Sequence, residues 1–339
     1  MEIKIPWSMP DFGEEEREAI LDVYDSGWVT MGEKTELFEK ELAKVLHNKY
    51  VVAVNNGTSA IMAALLAGRP LDKCVIPAYT YKATENAVLA SGIKHIIYGR
   101  VDRDTCLMNP RQVKEKTKQI PVHYAGLPLD PEMWDEESYV IEDAAESFGS
   151  ELKHWGAPAY DRMKCYSFHA AKVISTIEGG CVATDNPSLY FNLKLVRCHG
   201  ENPYRKGEFL RTGLNLKPND ITSAIGLEQL KKLPRYLDNR ERIVKHYREE
   251  LDGLVKFQEI PNYVKRHANM MFPIFIDNPH TLYNKLHDRG VDTRLGWIPL
   301  TPYENAQYIY EHVLCLPIFN TMTQEQAQTV SDEVKKCLK

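Results

Sequence analysis

Two side chains in this sequence have the chemical type and the surroundings for reactions in a dry site. Lys172 ends the segment YSFHAAK and is followed by the apolar residues Val173 and Ile174. Because apolar surroundings disfavour a charged amine, a lysine placed there is a good nucleophile and base. Asp143 follows the segment YVIE, whose apolar residues predict a buried strand. A carboxylate at the end of such a strand is poorly hydrated and requires a cationic partner.

Two further features could hold an anion and a planar ring. The segment NNGTS, residues 55–59, interrupts an apolar run, and Gly57 allows a tight turn into the next helix. We expect the free amides of Thr58 and Ser59 to open that helix, which makes an anion site suited to a phosphate. Tyr81 ends the segment IPAYTY, where its ring could stack on a flat ligand.

Each feature also has an ordinary structural explanation. Residues 55–59 and Asp143 could cap helices, Lys172 could face solvent, and Tyr81 could pack in the core. Taken together, they match the needs of pyridoxal phosphate (PLP): an amine for a Schiff base, a carboxylate for the pyridine nitrogen, and a phosphate site. Ser167 could add a hydroxyl to the phosphate, and His169 could either assist proton transfer or make a structural hydrogen bond.

The elements that must position these residues alternate between strands and helices. Apolar runs at 50–54, 74–76, 93–98, 119–122 and 139–141 predict strands, with helices between several of them. Such a rhythm indicates a mostly parallel sheet that binds ligands at the carboxyl ends of its strands. Helices are predicted for 220–233 and 238–251, followed by a smaller α+β lobe. We therefore expect a large domain over 1–235 and a small domain over 236–339, with the N-terminal segment as a candidate to pack on the small one.

Composition narrows the class of protein. The chain has 339 residues, 43% hydrophobic and 26% charged, with a net charge of −5. This balance is typical of a globular enzyme of two lobes and argues against general binding to nucleic acid or to anionic membranes. Seven scattered cysteines without a CxxC pair predict reduced thiols rather than disulfides or a metal site. No signal peptide is visible at the N-terminus, so a cytoplasmic location is expected.

Ordered motifs along nearly the whole chain resemble the DegT/DnrJ/EryC1/StrS family of sugar aminotransferases. In chain order they are SGWVTMG (26–32), NGTSA (56–60), VIPAYTY (75–81), VHYAGLP (122–128), EDAA (142–145), SFHAAK (167–172), RCHG (197–200), GLNLK (213–217), AIGL (224–227) and LCLP (314–317). The resemblance implies an α/β protein with the type I PLP-dependent transferase fold, which is also called aspartate aminotransferase-like.

The resemblance also implies roles for individual residues. Lys172 would form the Schiff base with PLP and move protons, and Asp143 would pair with the pyridinium. Tyr81 would stack on the ring, and Glu146 would lie near it. The phosphate ligands would be Thr58, Ser59 and Ser167, together with Asn215 reaching into the partner subunit of a symmetric homodimer. The amino donor would be L-glutamate, with pyridoxamine phosphate as the intermediate between the two half-reactions.

Two departures from the family pattern bear on the site. Glu146 stands where the family often has Gln, which changes the charge beside the cofactor ring. Val173 follows the lysine where Asn is common.

The substrate is indicated by two weaker signals. Six Lys/Arg residues lie between 194 and 217, a pattern that suits a diphosphate but is also typical of a solvated loop. The segment GVDTR, residues 290–294, resembles relatives that act on 4-keto-6-deoxy sugar nucleotides. These signals favour amination at C4 of a nucleotide-linked 4-keto-6-deoxyhexose, with Trp28, Thr30 and Arg294 as candidate substrate contacts.

Three alternatives remain open at this stage. A C3 aminotransferase or a sugar dehydratase could share the scaffold, although in the related dehydratases the lysine is replaced by histidine. An amino-acid aminotransferase would need carboxylate-binding arginines, for which Arg294 is one candidate. A non-catalytic PLP-binding regulator would need an added sensor segment, for which the chain has no spare length.

Overall fold

The structure is a computed structural model that describes residues 3–68, 70, 72–110, 117–133, 139–154 and 162–339. Its helices are α1 Glu14–Ser26, α2 Glu33–Leu46, α3 Gly57–Ala67, α4 Lys82–Ala90, α5 Pro187–Arg197, α6 Asp220–Glu250, α7 Pro279–His287, α8 Glu304–His312 and α9 Gln324–Leu338. Its strands are β1 Tyr50–Val54, β2 Lys73–Pro77, β3 His95–Gly99, β4 Lys118–Gln119, β5 Tyr139–Asp143, β6 Glu151–Leu152, β7 Met163–Ser167, β8 Gly180–Thr184, β9 Lys256–Phe257, β10 Val264–Arg266, β11 Phe272–Phe275, β12 Arg294–Leu295 and β13 Val313–Leu316.

A seven-stranded sheet in the order β1-β8-β7-β5-β4-β2-β3 forms the centre of the large lobe. Strands β7, β5, β4, β2 and β3 pair in parallel, and β8 runs antiparallel to both of its neighbours. The inner strands β2, β5 and β8 are buried along almost their whole length, as expected for a sheet covered on both faces. The predicted parallel α/β sheet is confirmed.

The carboxyl ends of β1, β5 and β7 lie at one edge of this sheet. Val54, the last residue of β1, is opposite Gly180, which is also opposite Ser167 at the end of β7. Asp143 ends β5 and pairs with Cys165 of β7. The end of β1 leads directly into α3, whose N-cap Asn56 accepts a hydrogen bond from the amide of Ser59. This topology gathers the predicted site residues in one place.

The smaller lobe is built on an antiparallel sheet in the order β12-β13-β11-β9. Its core holds the apolar faces of α6, α7 and α9, and Ile5 from the N-terminal segment packs into it. Ile5 also forms a parallel bridge with Val291, and the amide of Trp7 donates to Asp292 Oδ2 at 3.3 Å. The N-terminal segment is thus fixed beside β12.

Helix α6 differs from the prediction, because it is one helix of 31 residues rather than two. Pro234 lies inside it and removes one backbone donor, a loss that costs about 3 kcal/mol in a helix interior. Burial of Leu233, Tyr236 and Leu237 around the proline offsets that cost and keeps the helix continuous. The helix passes through residue 235, where the sequence places the boundary between domains, and that division stays a prediction.

Two further observations concern the chain as a whole. All seven cysteines are free thiols. Among the helices that the structure describes, none is long and apolar enough to cross a bilayer.

Candidate active site

A cleft of about 490 Å³ opens at the carboxyl edge of the large sheet. Residues of the small lobe, including Met270, Met271 and Trp297, form its far wall. Most of the residues predicted for the site line this cleft. They are Gly57, Thr58, Tyr81, Asp143, Glu146, Ser167, His169, Lys172 and Arg294.

Lys172 lies on the loop between β7 and β8, which is fixed by backbone hydrogen bonds. The amide of Phe168 donates to the carbonyl of Gly179 at 2.8 Å, and that of Lys172 donates to the carbonyl of His169 at 2.8 Å. The Lys172 side chain is 16% exposed, and its Nζ lies 3.5 Å from Glu146 Oε1. The amine is therefore held at the cleft wall with one carboxylate as its neighbour.

His169 supports the shape of the lysine loop. Its Nδ1 accepts a hydrogen bond from the amide of Ala171 at 3.2 Å, which makes this nitrogen an acceptor. Its Nε2 lies 3.8 Å from Glu178 Oε1, and both side chains are more than half exposed. The ring lines the cleft, so both roles predicted for His169 remain compatible with its position.

Asp143 is a buried carboxylate that faces the cleft. Oδ2 accepts a hydrogen bond from Thr84 Oγ1 at 2.7 Å, and Oδ1 accepts one from the amide of Ala145 at 3.3 Å. Burial raises the pKa of Asp143 above its ordinary value, although these hydrogen bonds and the charge of Lys172 oppose that effect. No ion pair to Asp143 occurs within the described residues, so a cationic ligand would relieve the cost of its burial.

Glu146 is the second buried acid in the cleft. Its Oε2 accepts a hydrogen bond from the amide of Ala125 at 2.8 Å. Ala125 has a φ of 60°, a left-handed conformation that L-residues rarely adopt. Burial raises the pKa of Glu146, with Lys172 and the Ala125 amide opposing and the charge of Asp143 adding to the rise. One oxygen is thus anchored, while the other faces Lys172.

Glu142 is also buried, but its pKa is shifted in the direction opposite to that of Asp143. It precedes Asp143 on β5, so its side chain points to the other face of the sheet and does not line the cleft. Burial opposes its ionisation, but Lys164 at 4.0 Å and His123 Nε2 at 3.2 Å hold the pKa of Glu142 at about 2. Glu142 is therefore a structural ion-pair partner, and Asp143 is the carboxylate available to a ligand.

The start of α3 forms a narrow cradle beside β7. A Cβ added to Gly57 would lie 2.7 Å from the Cβ of Ser167, so no larger residue fits there without a shift. Thr58 and Ser167 line the cleft at this point, next to the positive end of the helix. Ser59 lies outside the lining of the cleft, and its amide donates to Asn56 Oδ1 at 2.8 Å, so its role as a phosphate ligand stays a prediction.

Aromatic rings close the opposite side of the cleft. Tyr81 is 60% exposed and its ring centroid lies 5.8 Å from that of Trp297, at an interplanar angle of 54°. Trp297 also packs edge-on against Tyr124 at 5.4 Å, and its amide donates to the hydroxyl of Tyr79 at 3.2 Å. Tyr81 therefore presents an exposed ring at this side of the cleft, and its stacking on a planar ligand stays a prediction.

Three more predicted site residues, besides Ser59, lie outside the cleft of their own chain. Trp28 and Thr30 belong to the connection between α1 and α2, where the carbonyl of Thr30 accepts from the amide of Asp220. That contact holds the connection against the start of α6, so a substrate contact of Trp28 or Thr30 within one chain is not supported. Asn215 is exposed and forms an antiparallel bridge with Cys198.

The basic stretch between 194 and 217 is partly structural. Arg197 is buried against Glu39 and donates to the carbonyl of Ala53 at 3.0 Å. Arg211 donates to the carbonyl of Leu66 at 2.6 Å, and the Lys194 ammonium lies over the rings of Tyr190 and Tyr204. These three cations have protein partners, which weakens the expectation that the whole stretch binds a diphosphate.

Several residues of the cleft are not among those predicted from the sequence. Thr84 lies one helical turn after Tyr81. Because Tyr81 and Asp143 are predicted to lie near the same cofactor ring, this spacing could have indicated Thr84 as a partner for Asp143. Trp7 and Trp297 come from the two ends of the chain, and no local pattern links them to Lys172. Only the packing of the small lobe on the large one brings them together.

The described residues fit pyridoxal phosphate. A buried carboxylate without an ion pair suits a protonated pyridine nitrogen, and the cradle at Gly57, Thr58 and Ser167 suits a phosphate. Lys172 supplies the amine for covalent attachment, and Tyr81 supplies an exposed ring to stack on. Each part of the cofactor thus has a matching group in one cleft.

Comparisons with known proteins agree with this fit. The sequence profile of the DegT/DnrJ/EryC1/StrS aminotransferase family matches residues 10–335. An uncharacterised protein of Methanocaldococcus jannaschii is 31% identical over 98% of this chain and 97% of its own length.

Solved structures of the same fold cover nearly the whole chain. Helicobacter pylori PseC, an aminotransferase of pseudoaminic acid biosynthesis, is 25% identical with a TM-score of 0.89, covering 98% of this chain and 99% of its own. S. venezuelae DesV is 25% identical with a TM-score of 0.91, covering 100% and 99%. Bacillus subtilis NtdA, solved with bound cofactor PMP, is 28% identical with a TM-score of 0.86, covering 96% and 81%.

The predicted fold and cofactor are confirmed: the chain has the type I, aspartate aminotransferase-like fold of PLP-dependent enzymes. It belongs to the DegT/DnrJ/EryC1/StrS aminotransferase family, and it is a PLP-dependent aminotransferase.

Proposed function

We propose that the enzyme transfers the amino group of L-glutamate to a nucleotide-linked keto-deoxysugar, at C4 of a 4-keto-6-deoxyhexose. The observation that carries this proposal is the single cleft that holds Lys172, Asp143 and the start of α3 together. The acceptor is inferred from the segment GVDTR, residues 290–294, which resembles that of relatives acting on 4-keto sugars. The alternative acceptor is a 3-keto sugar.

The residues of the cleft have distinct tasks in this reaction. When bound, the cofactor supplies an electron sink for the charge that develops when the amine-bearing carbon loses its proton. Asp143 maintains that sink by keeping a negative charge at the pyridine nitrogen. Lys172 Nζ holds the cofactor at rest, accepts the proton from the donor carbon, and returns it during product formation. Thr58, Ser167 and the α3 amides hold the phosphate and so fix the position of the cofactor ring in the cleft.

Glu146 sets the state of the lysine. Its ionised Oε1 faces Nζ at 3.5 Å, and Ala125 keeps the carboxylate from turning away. Because burial raises the pKa of Glu146, the carboxylate becomes neutral as pH falls through a range where an exposed glutamate would still be charged. Protonation removes the partner that holds the amine, so we expect the rate to fall on the acid side.

Glu146→Gln is expected to remove this acid-side inflection from the rate of the glutamate half-reaction. At alkaline pH, the loss of one charge-assisted contact should slow the reaction about 10-fold or more. Stopped-flow absorbance across a pH series measures both effects. Glu178→Gln is the matched control, since this cleft acid is exposed and faces His169 instead. An inflection that persists unchanged in Glu146→Gln would contradict the assignment.

We also propose a symmetric homodimer in which Asn215 serves the phosphate of the partner's site. Its exposure outside the cleft of its own chain supports this arrangement. Neither Lys172→Ala nor Asn215→Ala alone should be fully active. A mixed dimer of the two variants would contain one site with both native residues, so mixing after subunit exchange should restore activity to as much as about a quarter of wild type, the share of native sites under random pairing. No recovery, with exchange confirmed by mass spectrometry, would place Asn215 elsewhere.

A panel of keto-sugar nucleotides tests the acceptor. The PMP-loaded enzyme is mixed with 4-keto-6-deoxy and 3-keto-6-deoxy nucleotide sugars, and mass spectrometry follows the aminated product. Conversion of the 4-keto compounds alone supports the proposal, and preference for the 3-keto compounds establishes the alternative. A protein that binds PLP but accepts no amino group from any donor would instead be a non-catalytic regulator.

A further inference from the structure

Arg294 occupies a rigid position on the wall of the cleft. It begins β12 and pairs with Cys315 of β13, and both residues line the cleft with Lys172. Its side chain is 51% exposed, and its strand is held at the edge of the small lobe's sheet by pairing with β13. A guanidinium held on a strand is better suited to specific recognition than one on a loop.

One edge of the guanidinium is already occupied, and the other is available. Nη1 donates to Asp292 Oδ1 at 2.8 Å and to the carbonyl of Thr293 at 3.1 Å. The guanidinium carbon lies 5.2 Å from the ring centroid of Trp7, a cation–π distance. Nη2 and Nε make no hydrogen bond to any residue that the structure describes. These two nitrogens form a planar fork that matches a carboxylate.

The charges around the cleft favour an anion at this point. Its lining includes three acids, Asp143, Glu146 and Glu178, which would repel an anionic ligand elsewhere. Among the described residues of that lining, the lysine and arginine side chains are Lys172 and Arg294, and Lys172 is engaged by the cofactor. Arg294 is then the remaining cation for the acidic part of a substrate.

We propose that Arg294 binds a carboxylate of the amino donor through its Nη2 and Nε edge, and that Asp292 and Trp7 are positioning residues for it. This inference rests on the proposed use of an amino acid as donor, and it assigns to the donor an arginine that the sequence made a candidate contact of the sugar. A nucleotide sugar also carries an anion, its diphosphate. In the donor, however, the α-carboxylate and the reacting amine share one carbon, whereas the hexose ring separates the diphosphate from the keto carbon. A cation in the same cleft as Lys172 therefore fits the donor.

The test separates the two half-reactions. PLP-loaded wild type, Arg294→Gln and Arg294→Lys are mixed with L-glutamate in a stopped-flow instrument, and the near-visible absorbance gives half-saturation and maximal rate. We expect Arg294→Gln to raise the half-saturating glutamate concentration about 10–100-fold, the worth of a charge-assisted bidentate contact. Arg294→Lys should recover only part of this affinity, because an ammonium lacks the fork.

Two further variants test whether a loss of glutamate affinity comes from Arg294 and the ring that supports it. Trp7→Leu removes the supporting ring and should weaken glutamate about 2–5-fold, as expected for a partly exposed cation–π contact. Arg289→Gln is the control, since this arginine belongs to the same lobe, pairs with Glu333 and lies outside the cleft. It should behave as wild type.

The second arm uses the PMP-loaded variants and the keto-sugar acceptor. Half-saturation by the acceptor should stay within about two-fold of wild type in Arg294→Gln, since no donor carboxylate is present in that step. Unchanged glutamate saturation together with weakened acceptor binding would overturn the inference and assign Arg294 to the diphosphate. A wild-type enzyme that reacts with no amino acid would overturn the proposed function itself, an outcome visible before any variant is compared.

Discussion

Replacement of Lys172 by alanine is expected to abolish turnover while leaving the fold intact. The side chain lines the cleft and its ionic contact among the described residues is Glu146, so little packing is lost. Glu146 would remain buried without its cation, but its raised pKa allows it to become neutral rather than stay charged. Loss of the group that moves the proton should reduce the rate by at least about 10³-fold, within the range attributed to positioned acids and bases.

The measurement is 2-oxoglutarate release under saturating PLP and glutamate, with circular dichroism to confirm the fold. Lys164→Ala is the matched control. Lys164 lies on β7 near Lys172 in sequence, but it pairs with Glu142 on the other side of the sheet. We expect this control to be less stable and to retain turnover per folded molecule. Activity in Lys172→Ala within ten-fold of wild type would refute the assignment of the lysine.

Asp143→Asn is expected to have the second largest effect. The amide keeps the shape and the contact with Thr84 but removes the negative charge that a protonated pyridine nitrogen requires. Breaking a buried charge pair by neutralising one partner costs about 3–5 kcal/mol, which corresponds to a rate loss of about 10²–10³-fold or more. The cofactor should still attach through Lys172, so the loss should appear mainly in the maximal rate.

Glu142→Gln provides the comparison for Asp143→Asn, because both acids lie on β5 and both are buried. Since Glu142 owes its pKa of about 2 to Lys164 and His123, neutralising it should lower thermal stability. It should leave the cofactor spectrum and the half-reaction rate nearly unchanged. Equal losses of rate in the two variants would show that Asp143 acts through general burial rather than at the cofactor.

The sequence carries much of the fold and of the cofactor site. The apolar run 50–54 predicts β1 with its observed bounds, because a strand buried on both faces needs unbroken apolar residues. Asp143 is recognisable because it ends such a strand, and Lys172 because it follows β7 in a segment flanked by apolar residues. Such local patterns are sufficient to predict a site residue when its place depends only on the end of one strand and on its own side chain.

The features that the sequence does not predict depend on tertiary contacts. The sequence predicts two free amides at the start of α3, those of Thr58 and Ser59. In the structure the Ser59 amide donates to the side chain of Asn56, which caps the helix. Pro234 predicts a helix end, but burial around it keeps α6 continuous. Trp7, Trp297 and Arg294 reach the cleft from distant parts of the chain. No spacing rule relates these segments, since the docking of the small lobe decides their neighbours.

The most direct test of the central claim is an absorbance spectrum of the purified enzyme with PLP, before and after addition of L-glutamate. We predict a near-visible band that shifts to shorter wavelength as one equivalent of 2-oxoglutarate appears, and that is altered in Lys172→Ala. A protein that shows no such band even with excess PLP, or whose band does not respond to glutamate or to any other amino acid, would contradict the account.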